Sequence, residues 1–185
     1  MSAVKWTILS LSLFISLALS AQQIPKNVQG KFEYTETKAV DATKEELFNQ
    51  AMSWMNKYYK QKNQPEDVVY EADMESGIIQ ANPLLWIDIT TMSGSKSGGA
   101  ISYDFTVEIK EGSFTYLVTN LSHESHRSTY GSGGALENKE PECGFQELPE
   151  NIWFAIYDDT RLKMEILIVD FKNKMSELGP PEKYR

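Results

Sequence analysis

Apolar and polar positions alternate most cleanly from Ile101 to Ile109. Ile101, Tyr103, Phe105, Val107 and Ile109 share one side and Ser102, Asp104, Thr106 and Glu108 the other, the period of a half-buried strand. Glu111-Gly112 follows as a two-residue turn in which Gly112 supplies a positive φ. Such a turn fixes the register. Lys110 faces Ser113, Ile109 pairs with Phe114, Val107 with Tyr116 and Phe105 with Val118, so every pair on that face is apolar. The opposite face is mixed: Glu108 meets Thr115, Thr106 meets Leu117, and Asp104 meets Thr119.

Upstream, Lys31 to Val40 alternates with Phe32 and Tyr34 on one side and predicts a first strand. Thr43 followed by Glu46 is a capping-box pair that opens a helix near Lys44. Leu47, Ala51, Trp54 and Tyr58, with Phe48, Met52, Met55 and Tyr59 one step round, give that helix a wide apolar face for lying on a sheet. Lys57, Lys60 and Lys62 collect at its C-terminal end, where the helix dipole favours cations, and Pro65 closes the segment. Val68–Glu71 and Gly77–Ala81 predict two short strands, and Leu84–Thr90 another. The Ser-Gly run from Ser93 to Gly99 reads as a flexible loop.

Residues 122–148 read as a long irregular insert, which in a compact domain implies a functional segment, a disordered one, or structure that the pattern misreads. Beyond it, Ile152–Tyr157 predicts a short helix. Asp158 or Asp159 then caps a second, carrying Met164, Ile168, Phe171, Met175 and Leu178, and Gly179-Pro180-Pro181 stops it. Helices before and after a run of strands give an α+β class. The expected architecture is a curved antiparallel sheet of about five strands with two helices on one face, in the order β-α-β-β-β-β-(insert)-α.

The N-terminal residues belong to an address. Lys5 precedes an almost uncharged run from Trp6 to Leu19, and Ala18-Leu19-Ser20 offers small residues for cleavage after Ser20 or Ala21. The apolar run is shorter than the ~20 residues of a spanning helix, and Gln22-Gln23 replaces a lipoprotein cysteine. The expected division is a signal peptide over 1–21, a leader over 22–30, one domain over 31–178 and a tail over 179–185. The product is then exported to the periplasm or beyond, with no membrane span once the signal is removed.

Composition narrows the partners. The 185-residue chain carries a net charge of −8, one unit more negative without Lys5. That argues against a nucleic-acid partner, which needs a basic stripe. Cys143 is the only cysteine, so no internal disulfide forms and stability rests on packing.

The order of elements resembles the DUF4468 family of bacterial exported domains of unknown function with a TBP-like fold. The resemblance rests on the leader, the strand before Thr43-Lys44-Glu45-Glu46-Leu47, the helix around Trp54, Asp73–Ile79, and the hairpin Tyr103–Ile109, Lys110-Glu111-Gly112, Phe114–Leu121. It spans roughly residues 31–121 and leaves the insert outside. It implies a curved antiparallel sheet backed by helices, with no activity, cofactor or site residue to carry over, and the TBP label describes topology rather than DNA binding.

Chemistry-bearing motifs are sparse. His123-Glu124-Ser125-His126 puts both histidines within one turn and makes them the candidate metal pair of a small hydrolase; the bland reading is exposed loop histidines. Gly94-Ser95-Lys96-Ser97-Gly98-Gly99 departs from the phosphate-loop pattern and precedes no helix. A Cys143 nucleophile with His123 or His126 as base requires a convergence the spacing does not supply. With no catalytic set and no cofactor motif, the leading expectation is a non-enzymatic binding or envelope-associated module. Trp86, Leu84, Leu117 and Leu121 are expected on the mixed sheet face beside Asp88, Thr106 and Thr119. That face, with Tyr130 of the insert, would meet a protein, glycan or lipid of the cell envelope; alternatively the insert merely covers it. A structural subunit of an envelope assembly is the remaining alternative, and monomer or homo-oligomer is left open.

Overall fold

The computed structural model describes residues 23–62, 64, 67–91 and 94–178. The expected signal peptide, the Pro65 stop and the tail lie outside the described residues. The elements run β1 (Tyr34–Ala39), α1 (Lys44–Gln61), β2 (Val69–Asp73), β3 (Ile78–Ala81), β4 (Leu84–Thr91), β5 (Gly94–Lys110), β6 (Ser113–Glu124), β7 (Gly134–Ala135) and α2 (Glu150–Ser176). The α+β class with an antiparallel sheet and helices stands; among the described residues there are two helices and seven strands rather than about five.

β5 is the spine of the sheet. On one side it pairs with β4 over its first half and β3 over its second, with β2 outside β3; on the other it pairs with β6, which carries β1 and β7. The β5–β6 register is the one the Glu111-Gly112 turn dictates: Ile109 opposite Phe114, Val107 opposite Tyr116, Phe105 opposite Val118. Gly112 takes φ 71°. Both helices pack on the apolar face. Thr43 closes the expected capping box on α1, with Glu46 accepting from the Thr43 amide at 2.9 Å. Trp54 then drives its ring between the layers, edge-on to Phe105 at 6.0 Å and Phe171 at 4.9 Å, while its indole N–H donates to Asp170 at 2.7 Å. Phe114 and Tyr116 also meet Phe171 edge-on, so one α2 side chain organises the centre of the core.

Four expectations are corrected. The Ser-Gly run is no loop, because Gly94 to Gly99 forms the first part of β5, paired with β4. Small residues are required there: a Cβ on Gly98 would lie 2.7 Å from the Ile89 side chain, and one on Gly99 (φ 99°) would lie 2.3 Å from the Glu124 carbonyl. The alternation of β6 breaks at Asn120, whose φ of 55° sits in a bulge where Asn120 and Leu121 oppose Tyr103. Leu121 and His123 therefore turn into the core instead of onto the outer face. α2 is one continuous helix, because Trp153, Ile156, Thr160, Met164 and Leu167 keep a buried stripe running through Asp158 and Asp159.

The fourth concerns the insert. It is neither structureless nor a cover for the outer face. Its Leu136 and Leu148 are buried, β7 extends the sheet beside β6, and its hydrogen bonds run to Leu121, His123 and Phe32 rather than to Thr106, Leu117 or Thr119.

Candidate binding surface

The residues singled out from the sequence divide in space. Trp86 and Asp88 stand together on β4. Leu117 lies half-buried on the outward face of β6, opposite Thr35 and Thr106. Tyr130 lies half-buried against the core within the insert, its amide bonded to Ser128. No hydrogen bond or ring contact joins Tyr130 or Leu117 to Trp86 among the described residues. The outer sheet face is tied up by its own polar groups, with Asp104 accepting from Asn82 at 2.9 Å and from Asn120 at 2.6 Å.

Around Trp86 the arrangement is dense. β4 would expose a free edge, and α2 closes it: Asp159 accepts from the Asp88 amide at 3.0 Å, while Lys163 donates to the Trp86 carbonyl at 2.8 Å and to the Asp88 carboxylate at 2.9 Å. Lys163 also pairs with Asp159 at 2.8 Å. Burial works against its ammonium, but bonds from Asp159 and Asp88 outweigh that and hold its pKa above the ordinary lysine value. The Trp86 indole donates to the Lys62 carbonyl at the end of α1. Arg127 lies 4.8 Å over its ring and His126 meets it edge-on at 6.2 Å. Ala100, opposite Trp86 on β5, and Glu124, opposite Ala100 on β6, complete this end, and Glu124 binds His126 at 2.6 Å.

Between α1, β4 and α2 these groups border a groove of about 370 Å³ whose walls include Tyr58, Leu84, Trp86, Lys163 and Ile166. Beyond it α2 carries Leu162, Ile166 and Val169 on its outward side, 51%, 59% and 51% exposed. The sequence reading missed this stripe. The positions at i, i+4 and i+7 were visible, but so was the buried stripe on the same helix, and periodicity alone does not say which of two apolar faces meets the sheet.

The histidines are not a metal pair. His123 is buried facing the helices, edge-on to Trp153, and both ring nitrogens are engaged: the Gly133 amide donates to Nδ1 at 2.9 Å and Nε2 lies 2.7 Å from the Gly98 carbonyl. The expectation of an exposed loop histidine is thus overturned for His123, by the bulge at Asn120. His126 is exposed beside Trp86. Among the described residues no three His, Cys, Asp or Glu side chains are grouped to hold a metal. Cys143 is half-buried, and burial raises its thiol pKa above the ordinary value, the opposite of an activated nucleophile.

A family model described as a domain of unknown function with a TBP-like fold, DUF4468, matches residues 14–124. The chain belongs to the DUF4468 family. The match covers β1 through β6 and stops at Glu124, the last residue of β6, so α2 and the part of the insert beyond Glu124 fall outside it. Two solved structures are similar to this DUF4468 chain. A TBP-like protein from Parabacteroides distasonis ATCC 8503 is 15% identical with a TM-score of 0.58, covering 82% of this chain and 96% of that one. A DUF4468 family protein from Bacteroides ovatus ATCC 8483 is 14% identical with a TM-score of 0.63, covering 86% and 92%. At such identities the likeness shows the TBP-like fold alone. No curated protein matches the chain.

Proposed function

We propose that this DUF4468 protein is an exported, non-enzymatic binding module that docks a protein of the cell envelope on the surface running from Trp86 to Val169. The observation that carries this reading is the adjoining of a Trp- and Tyr-walled groove to three branched side chains, each more than half exposed on α2. Scattered exposed apolar residues need no explanation, whereas a contiguous patch bordered by polar groups is the usual mark of a partner site. Aromatic anchors within a charged rim, here Tyr58 and Trp86 beside Lys163 and Asp88, fit protein recognition better than catalysis.

Photocrosslinking in native envelopes, with a crosslinker at position 162, tests it. A discrete protein adduct is expected, lost in Ile166→Glu and in Trp86→Ala and kept in Leu117→Ala. Adducts indifferent to both of the first two substitutions would sink the reading.

A further inference from the structure

A second cavity, of about 430 Å³, opens on the other side of α2, where the leader, the insert and the start of that helix meet. Its size lies in the range of small-ligand sites. Its walls come from three distant stretches of chain held by specific bonds. The Phe32 amide donates to Glu137 of the insert at 2.9 Å, and the Ile24 amide to the Tyr157 hydroxyl at 3.1 Å. Phe154 lines this cavity and is 56% exposed, with Tyr157 one turn further along α2. Among the described residues no other ring stacks on Phe154 and no cation lies over it.

Asn138, Lys139 and Asp158 also line the cavity. Lys139 and Asp158 are exposed and paired with no other side chain among the described residues. A lining of one charge sign would select a small ion and a wholly apolar one an acyl chain. Here both charge signs are present: Lys26, Lys139 and Arg161, the carboxylates of Glu137 and Asp158, and two side-chain amides border an open aromatic face.

We infer that this cavity binds a short saccharide of one or two rings. The C–H face of a sugar ring stacks on Phe154, its hydroxyls donate to the Asp158 carboxylate, and they accept from the Lys139 ammonium. The site is separate from the α2 surface proposed for the protein partner.

Saturation-transfer NMR on residues 22–185 tests the assignment, with cellobiose, chitobiose and digalacturonate as probes and dodecanoate as the apolar control. At least one saccharide should bind with a Kd near or below about 1 mM. Phe154→Ala and Asp158→Ala should each weaken it about tenfold while leaving the melting temperature unchanged, since both side chains are exposed. Ile166→Glu should leave saccharide binding intact whatever becomes of the envelope partner, which separates this site from the other. The inference is overturned if no saccharide binds at about 10 mM, some tenfold above that Kd. Binding unaltered by both Phe154→Ala and Asp158→Ala overturns it too, as does occupation of the cavity by dodecanoate alone.

Discussion

His123 is a buried polar side chain with both ring nitrogens engaged. Because the Gly133 amide donates to Nδ1, the ring proton sits on Nε2 and is given to the Gly98 carbonyl. A protonated ring would set Nδ1–H against an N–H, and burial already pulls the pKa below the ordinary value of 6.5. Since the unfolded chain takes up that proton more readily, stability from this site is whole above about pH 6.5 and falls as pH drops toward the depressed native value. Denaturant melts between pH 7.5 and 5 should show a slope of at most about 1.4 kcal/mol per pH unit from one proton. His123→Gln should flatten that slope; an unchanged slope would acquit His123. The Glu36, Glu46 and Asp73 carboxylates, all shifted down, act at lower pH and leave this window clear. Nothing in strict alternation reveals such a histidine, because counting by twos from Phe114 places residue 123 outside. The one clue is Asn120, a residue type that tolerates left-handed backbone, set within an apolar run.

Elements governed by local chemistry were legible in the sequence: the Thr43–Glu46 cap, the Gly112 turn and the β5–β6 register each depend on residues within a few positions. The start of β5 was not, because Ser and Gly are depleted from strands in general and are tolerated here only through contacts with β4 and β6. Gly99 makes this measurable. Its φ of 99° favours glycine, and a Cβ would also sit 2.6 Å from His123 Nε2. Gly30, with φ 79° and nothing within 4 Å of a Cβ, carries only the backbone part. Gly30→Ala should cost about 1 kcal/mol. Gly99→Ala should cost about 3 kcal/mol or more once the clash is added. Equal losses in urea melts would mean that β5 and β6 do not approach so closely in solution.

Across the domain, the insert does what a third covering element would do. α1 and α2 cover the apolar face of the sheet; at the far end of β6, Leu136, Leu148 and β7 take over, locked to His123 and Phe32. Composition alone concealed this, since a segment rich in Gly, Ser and Glu contributes few but fully buried apolar side chains. The two readings of the segment make opposite predictions for deletion of residues 128–142. A slack loop shortened by that much costs nothing or gains slightly, because closure entropy changes slowly with length. A structural insert instead loses a buried leucine, worth about 2–5 kcal/mol by itself, and strips the His123 and Phe32 bonds as well. At roughly 2–4 °C per kcal/mol for a domain of this size, the melting temperature should fall by about 10 °C or more. A deletion that melts within a degree or two of the parent would return the insert to the class of mobile loops. It would also remove one wall of the saccharide cavity without unfolding the protein, and saccharide binding would then be expected to vanish while the α2 surface kept its partner.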